Sequence, residues 1–269
     1  MRLVVVGCAG SFPSPESAAS SYLVQADGPD PRTGEVRQWN LLMDLGNGAL
    51  GPLQSHLDPS CLDAIAISHT HADHIADVVV LGVMLRYAPT GCPRDEPLPM
   101  YGPAGLGERL SQLSGHDPAT DTGGHVTLGT WREGEPVTVG PFTIDPVPVD
   151  HPVPSFGLRV TGPSSVRPGE RVTLSYTGDT DECAGLDTLA ADTDLLLSEA
   201  AYLEGSPHTP RGIHLTGARA ARAAARGGSR SLVLTHLVAW NDPARTLAEA
   251  VAEYDGPVQI ARPGLTVEL

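Results

Sequence analysis

Cysteine is scarce in this sequence, and long apolar runs are missing. The four cysteines, Cys8, Cys61, Cys92 and Cys183, form no Cys-x-x-Cys pair, so neither a thiolate zinc site nor a disulfide framework is expected. Such cysteine usage is typical of a reducing cytoplasm, which is the location we expect. No run reaches the length of a membrane-spanning helix, and Leu3 to Val6 is too short for a signal peptide. No membrane partner is therefore expected.

Basic residues are also few. The chain has 17 of them against 32 acidic residues, a formal net charge of −15. Such a surface repels extended polyanions, and the one group of close arginines, Arg219, Arg222, Arg226 and Arg230, is expected to be a solvated helix face. A small anionic substrate remains compatible with this charge, because two bound divalent ions would offset about four negative charges locally.

Several common sequence motifs are absent. The chain contains no Gly-x-Gly-x-x-Gly after a strand, no Gly-x-Ser-x-Gly elbow and no Walker loop, so hydride transfer has no support. Its 269 residues, of which 41% are hydrophobic, can bury a sizeable core. We expect one domain covering residues 1–269.

The most informative stretch is Ser68 to His74, which holds three histidines and one aspartate. It follows an apolar strand-like run, Asp63 to Ile67, and precedes a helix-patterned run, Ile75 to Tyr87. One interpretation is a polar surface loop. A metal site is favoured, because unpaired imidazoles between a buried strand and a buried helix would be poorly solvated.

The spacing within this stretch allows two metal ions. His69 and His71 lie two residues apart in an extended turn and can point to the same side, while Asp73 and His74 at the helix start can reach a second ion. These four residues leave positions open in both coordination spheres. Hydroxide or side chains from distant segments must complete them.

The pattern His-x-His-x-Asp-His resembles the signature of the metallo-β-lactamase fold. In the order of that family, the next ligand positions match His151, Asp179 and His236, and each of these follows a strand-like run. The resemblance implies one metal on His69, His71 and His151, a second on Asp73, His74 and His236, and Asp179 as a bridge between them. Zn²⁺ suits the imidazole-rich ligands, and Mn²⁺ is compatible with the carboxylates.

Strand-like runs occur in two batches, each followed by helices, with the ligand positions at strand ends. Pattern alone predicts a mixed α/β protein. The resemblance implies a four-layer αββα sandwich in which two sheets pack face to face under outer helices.

Several local predictions accompany this fold. Asp27 to Gln38 and Gly115 to Gly124 are predicted loops, Gly217 to Arg226 a helix, and Phe142 to Val149 an edge or bulged strand because of its prolines. The glycines of Gly7 to Ser11 indicate either a tight turn or a wall of the active site.

Two divalent ions could hold a bridging hydroxide, because metal binding lowers the pKa of water from about 15.7 toward 7. Hydrolysis is the expected reaction, with Asp73 orienting the hydroxide. His214, in His214-Leu215-Thr216, resembles a histidine of the ribonuclease Z branch that assists the leaving group, with Glu199 matching the glutamate that orients it. The alternative is a helix cap beside a satisfied histidine.

The resemblance also separates branches of the family. Ribonuclease Z proteins carry an arm between the third and fourth motifs that clamps transfer RNA, but only 27 residues separate His151 from Asp179 here. Other segments resemble the atypical class II cyclic-nucleotide phosphodiesterases of actinobacteria: Gly7 to Ser11, Ser155 to Arg159, Leu195 to Ala200 and Leu234 to His236.

The function implied by this resemblance is hydrolysis of a small anionic phosphodiester, above all 3′,5′-cyclic AMP or a related cyclic nucleotide. Transfer RNA is a disfavoured partner. The alternatives are a ribonuclease Z-like RNA 3′-end endonuclease, a thioester hydrolase, or a metal- and nucleotide-binding protein without turnover. A homodimer stays open.

Overall fold

Two mixed β-sheets form the centre of the computed structural model, which describes residues 1–88, 91, 96–115, 125–206 and 209–269. Within these residues each sheet has seven strands. The first sheet contains β1 (Arg2–Gly7), β2 (Ser21–Pro29), β3 (Val36–Met43), β4 (Ala64–Ala66), β5 (Leu98–Gly102), β6 (Val126–Thr130) and β14 (Thr266–Glu268). The second contains β7 (Val137–Val139), β8 (Phe142–Val149), β9 (Ser155–Pro163), β10 (Arg171–Tyr176), β11 (Leu195–Glu199), β12 (Leu232–Thr235) and β13 (Val258–Ile260).

Helices cover the outer face of each sheet. The helices on the first sheet are α1 (Leu50–Leu53), α2 (Ala72–Tyr87) and α3 (Leu106–Ser114), and those on the second are α4 (Ala184–Ala190), α5 (Gly217–Gly227) and α6 (Pro243–Val251). A short 3-10 helix, Pro59–Cys61, precedes β4. The four layers confirm the predicted αββα sandwich.

Both faces of the sheets are buried, and this explains the uninterrupted apolar runs. In β1, Leu3 and Val5 face the core between the sheets, whereas Val4 and Val6 pack under the helices of the first sheet. Successive side chains of a strand point to opposite faces, so a strand that is covered on both sides needs apolar residues at every position.

The predicted loop Asp27 to Gln38 is wrong over half of its length. Strands β2 and β3 form a hairpin whose antiparallel pairing continues to Pro29 and Val36, so residues 30–35 alone connect them. Backbone hydrogen bonds of the ladder do not require apolar side chains, and the polar composition of this stretch therefore concealed the strands.

The proline-containing strand β8 lies one position inside the edge of its sheet. Strand β7 pairs with Phe142–Ile144 only, whereas β9 pairs with Thr143–Val149. Pro146 and Pro148 thus lie in a segment with a single neighbouring strand, which confirms the predicted edge character for that segment.

The cysteine and arginine predictions need correction. Cys61 is disulfide-bonded, whereas no disulfide framework was expected. The spacing of cysteines in the sequence missed this bond, because a disulfide depends on which residues the fold brings together. Helix α5 is confirmed, but Arg219 is only 7% exposed and lies 3.3 Å from both Asp181 and Glu204. Its guanidinium is a buried ionic contact and not part of a solvated face.

The predicted loop Gly115 to Gly124 lies, after Gly115, outside the described residues. Among the residues that are described, no helix is both long enough and apolar enough to cross a membrane.

A close backbone approach fixes the beginning of α2 against the turn after β3. Leu45 donates from its backbone N–H to the carbonyl oxygen of His74 at 2.8 Å. A Cβ atom at Gly46 would overlap the carbonyl oxygen of Asp73. Only glycine therefore allows this turn to pack on the first turn of α2.

We expect Gly46→Ala to lower the free energy of unfolding by about 1–3 kcal/mol, because the added methyl group must displace backbone. The measurement is urea denaturation followed by circular dichroism. Gly51→Ala is the matched control, since no atom lies within 4 Å of its added Cβ, and it should be as stable as the wild type or slightly more stable. Equal midpoints for Gly46→Ala and the wild type would contradict this account.

Candidate metal centre

The loops at one end of the sandwich bring together residues that are distant in sequence. One loop follows β4 and carries the histidines and aspartate of the segment 68–74, and the other contributions come from the ends of β8, β10, β11 and β12 and from the segment before α5. The side chains that meet here are His69, His71, Asp73, His74, His151, Asp179, Glu199, His214 and His236.

The first cluster consists of His69, His71 and His151. The Nδ1 atom of His71 lies 3.1 Å from Nε2 of His69 and 3.1 Å from Nε2 of His151. Ligand atoms on a tetrahedral zinc ion, each about 2.05 Å from the metal, lie about 3.3 Å apart. The three nitrogens therefore have the separation that a common metal ion requires.

The second cluster consists of Asp73, His74, Asp179 and His236, all of them buried. Nε2 of His74 lies 3.3 Å from Asp179 Oδ1 and 3.5 Å from Asp73 Oδ2. Nε2 of His236 lies 3.2 Å from Asp179 Oδ2 and 3.7 Å from Asp73 Oδ2. Two nitrogens and two carboxylates thus converge on one point.

Asp179 lies between the two clusters. Its Oδ2 atom, which faces His236, is also 3.7 Å from Nε2 of His69 in the first cluster. Burial by itself would raise the pKa of Asp179, but the imidazoles of His236, His74 and His69 lower it well below its ordinary value. The carboxylate is ionised and can contact both positions.

Three atoms of the second cluster test whether a metal fits. His74 Nε2, Asp179 Oδ1 and His236 Nε2 are buried and have no hydrogen-bond partner. An unsatisfied buried polar atom costs about 1–3 kcal/mol of folding stability, so three such atoms aimed at one point would be strongly destabilising. A divalent cation would satisfy all three. The residues therefore fit two metal ions, one for each cluster.

The outward nitrogens of the histidines are held by hydrogen bonds. Nδ1 of His74 lies 2.7 Å from Asp44 Oδ2, Nδ1 of His236 lies 3.0 Å from Ser20 Oγ, and Nδ1 of His151 donates to the carbonyl oxygen of Ile213 at 2.9 Å. Such contacts fix the ring orientation of metal-binding histidines and leave the inner nitrogen for the ion.

Asp44 is a site residue that the sequence analysis missed. It is fully buried and accepts hydrogen bonds from the backbone N–H and hydroxyl of Ser68 and from the hydroxyl of Tyr176, besides its contact with His74. The available signal was an aspartate placed directly after the apolar run of β3.

Backbone strain occurs at the same end of the sandwich. Asp44 and His236 have φ angles of 57°, in the left-handed region that residues other than glycine rarely adopt. Asp44 directly follows β3 and His236 directly follows β12, and each side chain points into the centre. The structure thus retains unfavourable backbone conformations that aim these two side chains.

Protonation in the first cluster favours metal binding. Burial lowers the pKa of His69 well below its ordinary value, and it also lowers the pKa values of His71 and His151. These imidazoles are neutral, which is the form that binds a metal. For His74, burial acts in the same direction, but the charges of Asp179 and Asp44 raise its pKa well above the ordinary value. A metal ion at the second cluster would replace that proton.

His214 and Glu199 form a pair beside both clusters. Nδ1 of His214 donates to Glu199 Oε1 at 2.8 Å, and the fully buried Glu199 also accepts from the backbone N–H groups of Thr180 and Ala201. Burial would lower the pKa of His214, but the charge of Glu199 raises it to about 9. The ring centroid of His214 lies 5.5 Å from that of His151 and 5.4 Å from that of His236.

The structure therefore brings all nine sequence-predicted residues together, and their roles as ligands or catalytic groups stay predictions. The loop after β1 also reaches the centre. A Cβ atom at Gly10 would overlap the carbonyl oxygen of His236, so this loop packs directly on a residue of the centre. Both alternatives for the glycines of segment 7–11, a tight turn and a wall of the active site, stay predictions.

We expect metal-replete protein to hold two equivalents of divalent cation per chain after equilibrium dialysis, because each cluster has the donors for one ion. His236→Ala should retain about one equivalent, since it removes a donor from the second cluster only. The matched control is His56→Ala, which removes an exposed histidine and should retain two. A maximum of one equivalent in the wild type would contradict the dinuclear site.

Comparisons with known proteins agree with this geometry. Residues 39–237 match the Beta-lactamase superfamily domain. An uncharacterized protein of Mycobacterium tuberculosis is 40% identical over 260 residues, which are 96% of this chain and 88% of that protein. Ribonuclease Z of Myxococcus xanthus is 30% identical over 279 residues, covering 85% of this chain and 88% of the other.

The probable metallo-hydrolase YhfI of Bacillus subtilis is similar in both sequence and structure. It is 31% identical over 274 residues, and the match covers 100% of each chain. Its crystal structure has a TM-score of 0.82 at 29% identity and covers 100% of this chain and 99% of that one. The chain therefore belongs to the beta-lactamase superfamily.

Proposed function

We propose that this protein hydrolyses a small phosphodiester, above all 3′,5′-cyclic AMP or a related cyclic nucleotide. The observation that carries the proposal is the position of the hydrogen-bonded pair His214 and Glu199 beside two clusters that share Asp179. Metal binding alone would not need this pair. An enzyme that breaks a P–O bond needs both a place for the phosphate and a proton for the departing oxygen.

The metal centre would hold the phosphate. Two divalent cations, with Zn²⁺ favoured by the imidazoles and Mn²⁺ compatible with the carboxylates, would offset phosphate charge and acidify water there. Asp73, the most solvent-accessible carboxylate of the second cluster at 8% exposed, would orient the attacking water through its carboxylate oxygen.

His214 would donate the proton to the leaving group. Water gives up one proton to solvent and attacks phosphorus, which breaks the bond to the 3′ oxygen of a cyclic nucleotide. That oxygen takes the proton from Nε2 of His214, and solvent then reprotonates the imidazole. Glu199 holds Nδ1 and keeps the imidazole protonated beforehand. Because two backbone N–H groups also bind Glu199, its carboxylate is fixed in position.

The short segment between His151 and Asp179 and the pairing of the arginines both favour a small substrate. Strands β9 and β10 and the turn between them occupy most of the 27 residues between His151 and Asp179, which leaves no room for a clamping arm. The arginines of α5 and its end are paired: Arg219 with Asp181, Arg222 with Glu253, Arg226 with Asp187 and Arg230 with Asp194. A folded RNA needs many phosphate contacts, whereas a cyclic nucleotide carries one charge.

The second candidate is a ribonuclease Z-like endonuclease that acts on RNA 3′ ends. The observation in its favour is the 30% identity with a relative named ribonuclease Z over most of both chains. It would use the same metal centre and the same His214, so the two candidates differ in substrate and not in chemistry.

We expect the metal-loaded protein to hydrolyse cyclic AMP with far higher kcat/KM than it cleaves the 3′ trailer of a precursor transfer RNA. Both assays should use one protein sample at physiological salt, with nucleotide product measured in the first and trailer release in the second. Efficient trailer cleavage without cyclic-AMP hydrolysis would contradict the cyclic-nucleotide assignment and favour the endonuclease.

His214→Ala should lower kcat by about 10²- to 10⁴-fold, the usual contribution of a positioned acid, and should leave two metal equivalents bound. Asp73→Ala should lower activity and metal content together, because it removes a donor as well as the orienting carboxylate. The control is again His56→Ala. Turnover of His214→Ala near that of the wild type would assign His214 a structural role.

A further inference from the structure

Two large aromatic side chains stand in solvent at the rim of the metal centre. Trp240 is 69% exposed and Phe12 is 44% exposed, and their ring centroids are 5.7 Å apart at an interplanar angle of 39°. The other tryptophans, Trp39 and Trp131, are buried, as is Phe142. In a chain with only three tryptophans and three phenylalanines, this exposed pair is exceptional.

The loops that carry the two rings are part of the site. Phe12 donates from its N–H to the carbonyl oxygen of Gly10 at 2.8 Å, and Gly10 packs directly against the backbone of His236. Trp240 follows His236 by four residues. Gly10 also donates to the carbonyl oxygen of Leu237 at 3.0 Å, which ties the two loops together.

The far end of the Trp240 loop is anchored on the opposite side of the centre. Asn241 donates from Nδ2 to the carbonyl oxygen of Ala201 at 2.7 Å. Ala201 donates in turn to Glu199, the partner of His214, and Tyr202 packs edge-on against His214 with centroids 5.1 Å apart. The buried Val238 holds the middle of the loop. Trp240 is thus displayed on a loop fixed at both ends beside the proposed reaction centre.

An exposed indole on an anchored loop keeps a large apolar face available at little entropic cost. A molecule that is bound at the metals and extends past the anchored loop would meet that face. If the phosphate of a nucleotide lies at the metal centre, its base projects toward the rim. The chain has a net charge of −15 and few basic side chains to offer. Stacking on an aromatic face therefore suits a nucleobase better than contacts with charged side chains.

We propose that Trp240, supported by Phe12, stacks on the nucleobase of the substrate and supplies most of the base-dependent affinity. This inference rests on the proposed cyclic-nucleotide function. The base stacks on the outer face of the indole, because a base between the two rings would need planes about 6.8 Å apart, twice the rise of about 3.4 Å per stacked base. Stacking on an aromatic face is tolerant of base identity, so adenine and guanine should both be accepted.

The kinetic test compares a cyclic nucleotide with a substrate that has no base. Trp240→Ala should raise KM for cyclic AMP about 5- to 100-fold, the range for loss of one base stack, with kcat changed less than threefold. The kinetics of 1-O-methylribose 3′,5′-cyclic phosphate should be unchanged. Trp240→Phe should restore most of the affinity, because it retains a ring. An equal loss for both substrates, or no change in KM, would overturn the inference.

Tyr87→Ala is the matched control. Tyr87 is 71% exposed and lies at the end of α2, whose beginning is at the metal centre, so about 20 Å of helix separates it from the site. This variant should match the wild type with both substrates. Sedimentation of every variant at the assay concentration identifies the competing explanation: a change of oligomeric state in Trp240→Ala alone would assign the pair to an interface between copies and overturn base stacking.

A binding measurement separates this inference from the proposed function. Adenosine 5′-monophosphate should quench the fluorescence of the wild type, because Trp240 is exposed while Trp39 and Trp131 are buried. The quench should be lost in Trp240→Ala and kept in Tyr87→Ala. If the wild type hydrolyses no cyclic nucleotide but shows this pattern, the proposed activity fails and base stacking stands. Absence of saturable quenching in the wild type would overturn base stacking whatever the activity.

Discussion

The rest of this structure depends on a buried carboxylate, Asp179, placed among imidazoles. Its charge is removed from water, which is costly, and the neighbouring rings of His74 and His236 reduce that cost by facing it at 3.2–3.3 Å. Without a cation, three polar atoms of this group have no hydrogen-bond partner. The second cluster is thus poorly satisfied as an ordinary polar core, and its donors fit a metal ion.

The scaffold holds this arrangement by rigid elements rather than by the loops alone. Parallel pairing of β10, β11 and β12 places Asp179, Glu199 and His236 at one edge of the second sheet, and parallel pairing of β3 with β4 places Asp44 beside the histidine loop. Close backbone approaches at Gly10 and Gly46 then pack the loops on each other. Catalytic side chains must be held to within a fraction of an ångström. The paired strands at this edge hold the side chains at their ends in fixed positions.

Much of the fold could be predicted from residue patterns. The apolar runs of β1 and β11 and the alanine-rich α5 with its terminal glycines are visible in the sequence because burial on one or both faces dictates their composition. The hairpin of β2 and β3 was missed where its residues are polar, since ladder hydrogen bonds form irrespective of side chain. The buried Arg219 was missed because its partner Asp181 lies 38 residues away.

The sequence by itself indicated candidate metal ligands, from the imidazoles and carboxylate of the segment 68–74 and, through the family resemblance, at His151, Asp179 and His236. The same resemblance indicated His214. Tertiary structure alone decided that Asp44 orients His74 and that Trp240 and Phe12 meet, and it supplied the distances by which Asp179, implied as a bridge by the resemblance, reaches both clusters. Each of these contacts joins segments more than 25 residues apart, and its geometry depends on strand register and on the conformation of single backbone residues, which no local pattern encodes.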